Sequence, residues 1–159
     1  MAVISLKTVI HARPEICFDL SRSIDLHQFT TRHTNERAID GRTQGLIEDG
    51  EFVTWEATHF FLKQHMTVQI IAMQRPHYFK DEMVSGPFRS MTHTHTFDSS
   101  LQETVMLDHF HYTIPFGILG RLADFLFLKR YMQRLLERRN SIIKQLAESG
   151  EWKRFLKTA

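Results

Sequence analysis

The chain has 159 residues, 42% of them hydrophobic and 24% charged, with a formal net charge of +2 and ten histidines. That length suits one domain, residues 1–159, around one core, and the composition excludes a disordered or fibrous chain. The slight basic bias gives no ground for expecting nucleic-acid binding, no apolar run is long enough to span a bilayer, and a lone cysteine, Cys17, excludes an intrachain disulfide.

The opening residues, MAVISLKTVIHARPE, lack the uninterrupted apolar stretch of a secretory signal. Together with the single thiol they make a reducing cytoplasm the expected compartment. Residues 3–10 are rich in β-branched types and predict a first strand. Pro14 suits the first turn of a helix, and the apolar spacing that follows predicts two short helices, Pro14–Ser21 and Ile24–Thr30. Residues 36–41 and 51–61 predict the next strands, joined through the glycine-containing segment Gly45–Gly50. Residues 64–73 are apolar nearly throughout, as in a well-covered strand. Arg75-Pro76 ends that strand, and Tyr78–Ser85, Phe88–Phe97 and Glu103–Ile114 follow with short connections. Such spacing predicts an antiparallel meander.

After Pro115-Phe116-Gly117 the apolar residues Ile118, Leu122, Phe125, Leu128, Met132, Leu135, Ile142 and Leu146 recur at helical spacing, and Ser149-Gly150 marks the stop. A helix of about 30 residues is about 45 Å long, enough to cross a whole sheet. Trp152, Phe155 and Leu156 predict one further amphipathic turn. The resulting order is strand, two small helices, a run of strands and a long terminal helix. It predicts an α+β helix-grip architecture in which a curved antiparallel sheet of six or seven strands wraps the last helix. Leu122, Phe125, Met132 and Leu135 are expected against the sheet, with a hollow between the two layers.

Several local motifs accompany that order. They are Trp55-Glu56-Ala57-Thr58-His59; Arg75-Pro76-His77-Tyr78-Phe79-Lys80-Asp81-Glu82 leading to Gly86-Pro87-Phe88; His93-Thr94-His95-Thr96-Phe97; Thr104 with Asp108 and Tyr112; and Pro115-Phe116-Gly117-Ile118-Leu119-Gly120. As a set covering nearly the whole chain, they make the sequence resemble the START/Bet v 1-like (SRPBCC) superfamily. The likeness is to its polyketide cyclase/dehydrase and lipid-transport branch, and especially to the small bacterial proteins of that branch. The resemblance implies a fold and a ligand cavity. It does not imply a reaction, because the superfamily includes carriers, receptors and a few enzymes.

Alternation along the last two strands places Met91, His93, His95 and Phe97 on one face, with Met106, Asp108, Phe110 and Tyr112 on the matching face of the partner. A short turn at Ser99–Leu101 would set Phe97 opposite Thr104, His95 opposite Met106 and His93 opposite Asp108. These eight residues, with Trp55, His59, Phe79, Leu122, Phe125 and Met132, form the expected cavity lining. A buried Asp beside His holds an imidazole tautomer, and such a pair orients a ligand carbonyl or hydroxyl, acts as a general base, or simply satisfies itself inside the sheet. His93 and His95 at i and i+2, with His59 or Asp108 as a third donor, make part of a metal set. There is no cysteine cluster or HExxH helix beside them, and neither metal nor cofactor is expected.

The terminal helix also carries Arg121, Lys129, Arg130, Arg134, Arg138, Arg139 and Lys144, with Phe127 and Tyr131 adding apolar area. This basic face is expected to be solvated, with at most weak contact with an anionic membrane surface. The leading expectation is therefore binding or transport of a hydrophobic small molecule: a lipid, a quinone or a polyketide-like compound. The alternatives are a cyclase/dehydratase-type enzyme using His93, His95 or Asp108, and a membrane- or protein-associating module using the basic helix.

Overall fold

Alternating and β-branched segments form seven strands: β1 (Ala2–Ile10), β2 (Arg37–Gly41), β3 (Phe52–His59), β4 (Leu62–Gln74), β5 (Tyr78–Ser85), β6 (Ser90–Ser100) and β7 (Glu103–Thr113). They make one antiparallel sheet in the order β1-β7-β6-β5-β4-β3-β2. The run from β2 to β7 is a meander of hairpins, and β1 pairs with β7, so the first and last strands lie side by side. This computed structural model describes residues 1–100, 103–115 and 117–156. Leu101 of the expected hairpin turn, Phe116 of the Pro-Phe-Gly segment and the side chains of Leu119 and Arg121 lie outside the described residues.

Two helices link β1 to β2. Pro14 opens α1 (Pro14–Ser21), where a missing N–H costs nothing. Ser23 caps α2 (Ile24–Thr31), its hydroxyl accepting from the Leu26 amide at 3.2 Å. The inward residues of α1, Cys17, Phe18 and Leu20, are buried. Phe18 meets Phe79 and Phe97 edge-on, each at 5.4 Å between ring centroids, so α1 fills one end of the concave face.

The expected register of the last hairpin is corrected by two residues. His95 faces Asp108, His93 faces Phe110 and Phe97 faces Met106. The strands continue to Ser100 and Glu103, into the Ser99–Leu101 segment expected to form the turn. An even slip preserves the faces, so the grouping of the side chains is unaffected.

The terminal element departs further from expectation. It consists of α3 (Gly117–Ala123), a π-helical turn (Asp124–Leu128) and α4 (Lys129–Ser149), ended by Gly150 in the left-handed conformation. A π turn inserts one residue per turn and shifts the phase of the apolar stripe. The buried positions of α4 are therefore Leu136, Arg139, Asn140, Ile143, Leu146 and Ala147. Leu135 and Ile142 are only partly covered. Leu122 and Phe125, expected against the sheet, are instead exposed, Phe125 at 81%. At Gly120 a Cβ would meet the Pro115 carbonyl oxygen at 2.1 Å, so α3 folds tightly against the end of β7. It stays outside the layer that α4 forms against β1, α1 and α2. Arg139 likewise leaves the expected basic face and is buried, and Lys144 is tied to the Val9 carbonyl oxygen at 2.5 Å and to Glu148 at 2.6 Å.

Candidate functional site

Because α1 fills one end of the sheet's concave face and α4 crosses beside it, space remains at the other end. Two adjoining hollows occupy it, an outer one of about 260 Å³ and an inner one of about 170 Å³. Trp55, His59, Glu36, Met66 and Met132 line both and form the partition between them. The outer hollow opens between the β3–β4 hairpin and the terminal helix, with Phe60, Phe88, Phe127, Leu128 and Ile114 among its walls. The inner hollow ends against Asp81, His93, His95 and Arg139.

Of the residues expected to line a cavity, Trp55, His59, Phe79, Met91, His93, His95, Phe110 and Met132 do so. Phe97 and Met106 share the face but lie under α1, where Phe97 packs on Phe18 and the Ser21 hydroxyl sits 3.5 Å from the Met106 sulfur. Tyr112 packs on Phe88 and Phe110, at 5.1 and 5.5 Å between centroids. Asp108 is wholly buried behind the two histidines. Leu122 and Phe125 face solvent.

Side chains from three strands and one helix converge at the blind end. Asp81 on β5 is the cross-strand partner of His93 on β6, and His95, two residues on, is the partner of Asp108 on β7. His93 Nε2 donates to Asp108 Oδ1 at 3.0 Å. His95 Nδ1 lies 2.7 Å from the same oxygen, a short contact without hydrogen-bond angles. From α4, the Asn140 amide donates to Asp108 Oδ2 at 2.6 Å, and Arg139 Nη1 stands 3.8 Å from Oδ1. Arg139 also donates to the Ser21 carbonyl oxygen at 2.7 Å.

Asp108 therefore fastens the helix to the sheet and at the same time orients the histidines that face the cavity. Burial alone would raise its carboxyl pKa. Interaction with the neighbouring His95 and the hydrogen bond from His93 outweigh burial and hold it well below the usual range. Burial pushes the His93 imidazole down to about 4, and His95 adds to this against the opposing pull of Asp108. Burial likewise lowers Arg139, with Asp108 and Asp81 opposing.

A second polar group sits in the partition. His27 Nε2 lies 3.1 Å from Glu36 Oε1 and its ring stacks on Trp55 at 4.2 Å. His59 Nδ1 is 2.7 Å from the Tyr131 hydroxyl. Burial would raise the Glu36 carboxyl, but the neighbouring His27 brings it below its ordinary value. Burial also lowers His59 and raises Tyr131. Glu36 and His27 did not stand out in the sequence, and Tyr131 and Arg139 were assigned to the outer basic face of the helix rather than to the cavity. Arg139 and Asn140 carried one usable signal, since they fall three and four residues after Leu136 and before Ile143 on a single helical stripe.

Two aromatic residues at the mouth have unusual backbones. Phe60 and Phe61 form the two-residue β3–β4 turn with φ of 50° and 65°, and Phe61 is fully exposed. Both lie in the left-handed region, which bulky residues rarely occupy. Phe60 packs on Phe127 and Tyr131, at 5.5 and 4.7 Å between centroids, so the hairpin tip touches the terminal helix across the opening.

No protein-family model matches the sequence, and no curated protein is similar to it. Solved structures do match in fold. TTHA0849 from Thermus thermophilus superposes with a TM-score of 0.75 at 14% identity, covering 94% of this chain and 99% of that one. The di-domain ARO/CYC StfQ from the steffimycin biosynthetic pathway gives a TM-score of 0.72 at 12% identity, over 94% of this chain and 52% of that one. A START superfamily protein from Mycobacterium smegmatis gives 0.67 at 9% identity, over 91% and 98%. At these identities the likeness is one of fold.

Proposed function

We propose that this chain, which has the START/Bet v 1-like helix-grip fold, binds a small apolar molecule carrying one polar group. The observation behind this reading is the two-part hollow, apolar at its mouth and ending on His93, His95 and Asp81. Taken together the two compartments reach the lower end of the range of ligand pockets, enough for a compact ring system or part of an acyl chain. Burial of apolar area supplies affinity, and the imidazoles fix the direction of entry by meeting a carbonyl or hydroxyl. The test is a binding titration with an anthraquinone and with a fluorescent fatty acid. His95→Ala should weaken one of them by about 1–3 kcal/mol, the scale of leaving a buried polar partner unpaired. Unchanged affinity for both probes would remove the histidines from the site. In the cyclase/dehydratase alternative the same variant would abolish turnover of a polyketide-like substrate with little change in affinity.

A second reading, in which the ligand is exchanged at a bilayer, is favoured by the rim of the mouth. Phe61 on the β3–β4 turn and Ile118, Leu122, Phe125 and Leu126 on the segment leading into α4 are exposed, as are the cations Lys63, Lys129, Arg130 and Arg134 of the same hairpin and terminal helix. Apolar side chains flanked by cations suit an anionic membrane surface. Flotation with phosphatidylserine-containing vesicles tests this reading, with Phe61→Ser/Phe125→Ser as the variant that should no longer float.

A further inference from the structure

We propose that Asp81, His93 and His95 form a divalent-metal site, of the zinc class, at the blind end of the inner hollow. One ligating atom from each of the three residues lies within 4.8 Å of the others, all three line the cavity, and both histidines are buried.

The tautomers point the same way. Asp108 is an acceptor, so the nitrogens it meets carry the protons: His93 Nε2 at 3.0 Å and His95 Nδ1 at 2.7 Å. That leaves lone pairs on His93 Nδ1 and His95 Nε2. His95 Nε2 stands 3.7 Å from Asp81 Oδ2, too far to share a proton, and among the described residues Asp81 accepts no hydrogen bond. The Asp81 carboxylate and two imidazoles, each left with one unprotonated ring nitrogen, thus stand together, one potential donor atom of each within 4.8 Å of the others.

Asp108 has the place of the carboxylate that holds metal-binding histidines by their far N–H groups. Arg139 faces this group from α4, and it stands 3.8 Å from Asp108, which offsets it. The charge left uncompensated is that of Asp81. Two imidazoles and one carboxylate are a common donor set for Zn²⁺, which takes four ligands and leaves the fourth position to water or a ligand oxygen in the cavity. The expected third donor was His59 or Asp108. Instead, His59 is engaged with Tyr131 and Asp108 stands behind the ligands.

This inference does not depend on the organic ligand, and the test uses metal alone. Tag-free, chelator-treated chain is titrated calorimetrically with Zn²⁺ and followed by visible absorption with Co²⁺. The expected result is one equivalent per chain, with ligand-field bands of low-coordinate Co²⁺. Asp81→Asn and His95→Gln should each weaken binding on the order of 100-fold, and Asp108→Asn on the order of 10- to 100-fold where circular dichroism shows it folded. His109→Gln, at an exposed histidine on the opposite face of β7, should leave binding unchanged. Absence of stoichiometric binding, or binding that survives both Asp81→Asn and His95→Gln, overturns the proposal. So does binding lost with His109→Gln.

Discussion

Asp108→Asn probes the joint between sheet and helix, because the substitution keeps the shape and removes the charge. In the parent, Oδ1 faces His93, His95 and Arg139 while Oδ2 accepts from Asn140 at 2.6 Å. An amide in that place turns its NH₂ either toward the histidine N–H groups, where donor meets donor, or toward Asn140, which must then flip to offer its unpartnered Oδ1, and neither arrangement restores the charge. Arg139 is then a buried cation without its anion. Removing one partner of a buried pair costs about 3–5 kcal/mol, a large part of the roughly 5–15 kcal/mol that holds a domain folded. For a chain of this length that lowers the melting temperature by roughly 10 °C or more. Arg139→Met alone leaves Asp108 less compensated, whereas Asp108→Asn/Arg139→Met removes both charges. Urea denaturation of the four proteins should therefore give a double variant less destabilised than the two single costs added together, by about 1–3 kcal/mol. A stability for Asp108→Asn within about 0.5 kcal/mol of the parent, or strict additivity, would refute the pairing.

Three further outcomes follow from the geometry. His93, faced by His95, Asp108, Asp81 and Arg139, is held at about 4 in the folded chain against 6.5 when unfolded. Below pH 6.5 the unfolded chain therefore takes up a proton that the native chain refuses. Stability is complete above that pH and declines toward pH 4, by about 3 kcal/mol from this group. His93→Gln should flatten the profile of stability against pH in that window, and an unaltered slope would place the titration elsewhere. Leu136→Asp puts a charge into the sheet–helix interface and should cost several kcal/mol by denaturant titration. Leu122→Asp should stay within about 0.5 kcal/mol of the parent, since Leu122 faces solvent. Equal effects of the two would contradict the helix phase. Gly120→Ala should lower the melting temperature, because its Cβ would meet the Pro115 backbone oxygen at 2.1 Å and the Ile114 side chain at 3.1 Å; an unchanged melting curve would show that α3 can swing away from Pro115.

Elements with a local signature were legible in the sequence. Pro14 and the apolar spacing behind it marked α1, and alternation through Thr92–Phe97 marked β6 and its inward face, so the grouping of His93 and His95 with Asp108 held despite a two-residue error in register. Register is set by the length of the turn, and that length is hard to judge when polar residues such as Asp98 and Ser99 continue the strand. The long helix was legible as a helix but not in its phase. Extrapolating one period through Phe125 assumes regular α geometry, and the π turn at Asp124–Leu128 breaks it. The same shift hid Arg139, which reads as surface in a basic segment and becomes buried once the stripe moves by one residue. Asp81 lies two residues after Phe79, on the same face of β5 as that expected lining residue. Its meeting with His93 needed the β5–β6 pairing, a long-range fact that no local pattern contains.

The account rests most directly on occupancy of the two hollows. Met132 stands in the partition between them, and Met132→Trp should fill it. Native mass spectrometry of the gently purified chain should show a retained small molecule of low polarity, and the same preparation of a folded Met132→Trp variant should show it lost. A parent chain that carries nothing and takes up no apolar probe, or a variant that retains the molecule undiminished, would contradict a ligand site between the sheet and its terminal helix.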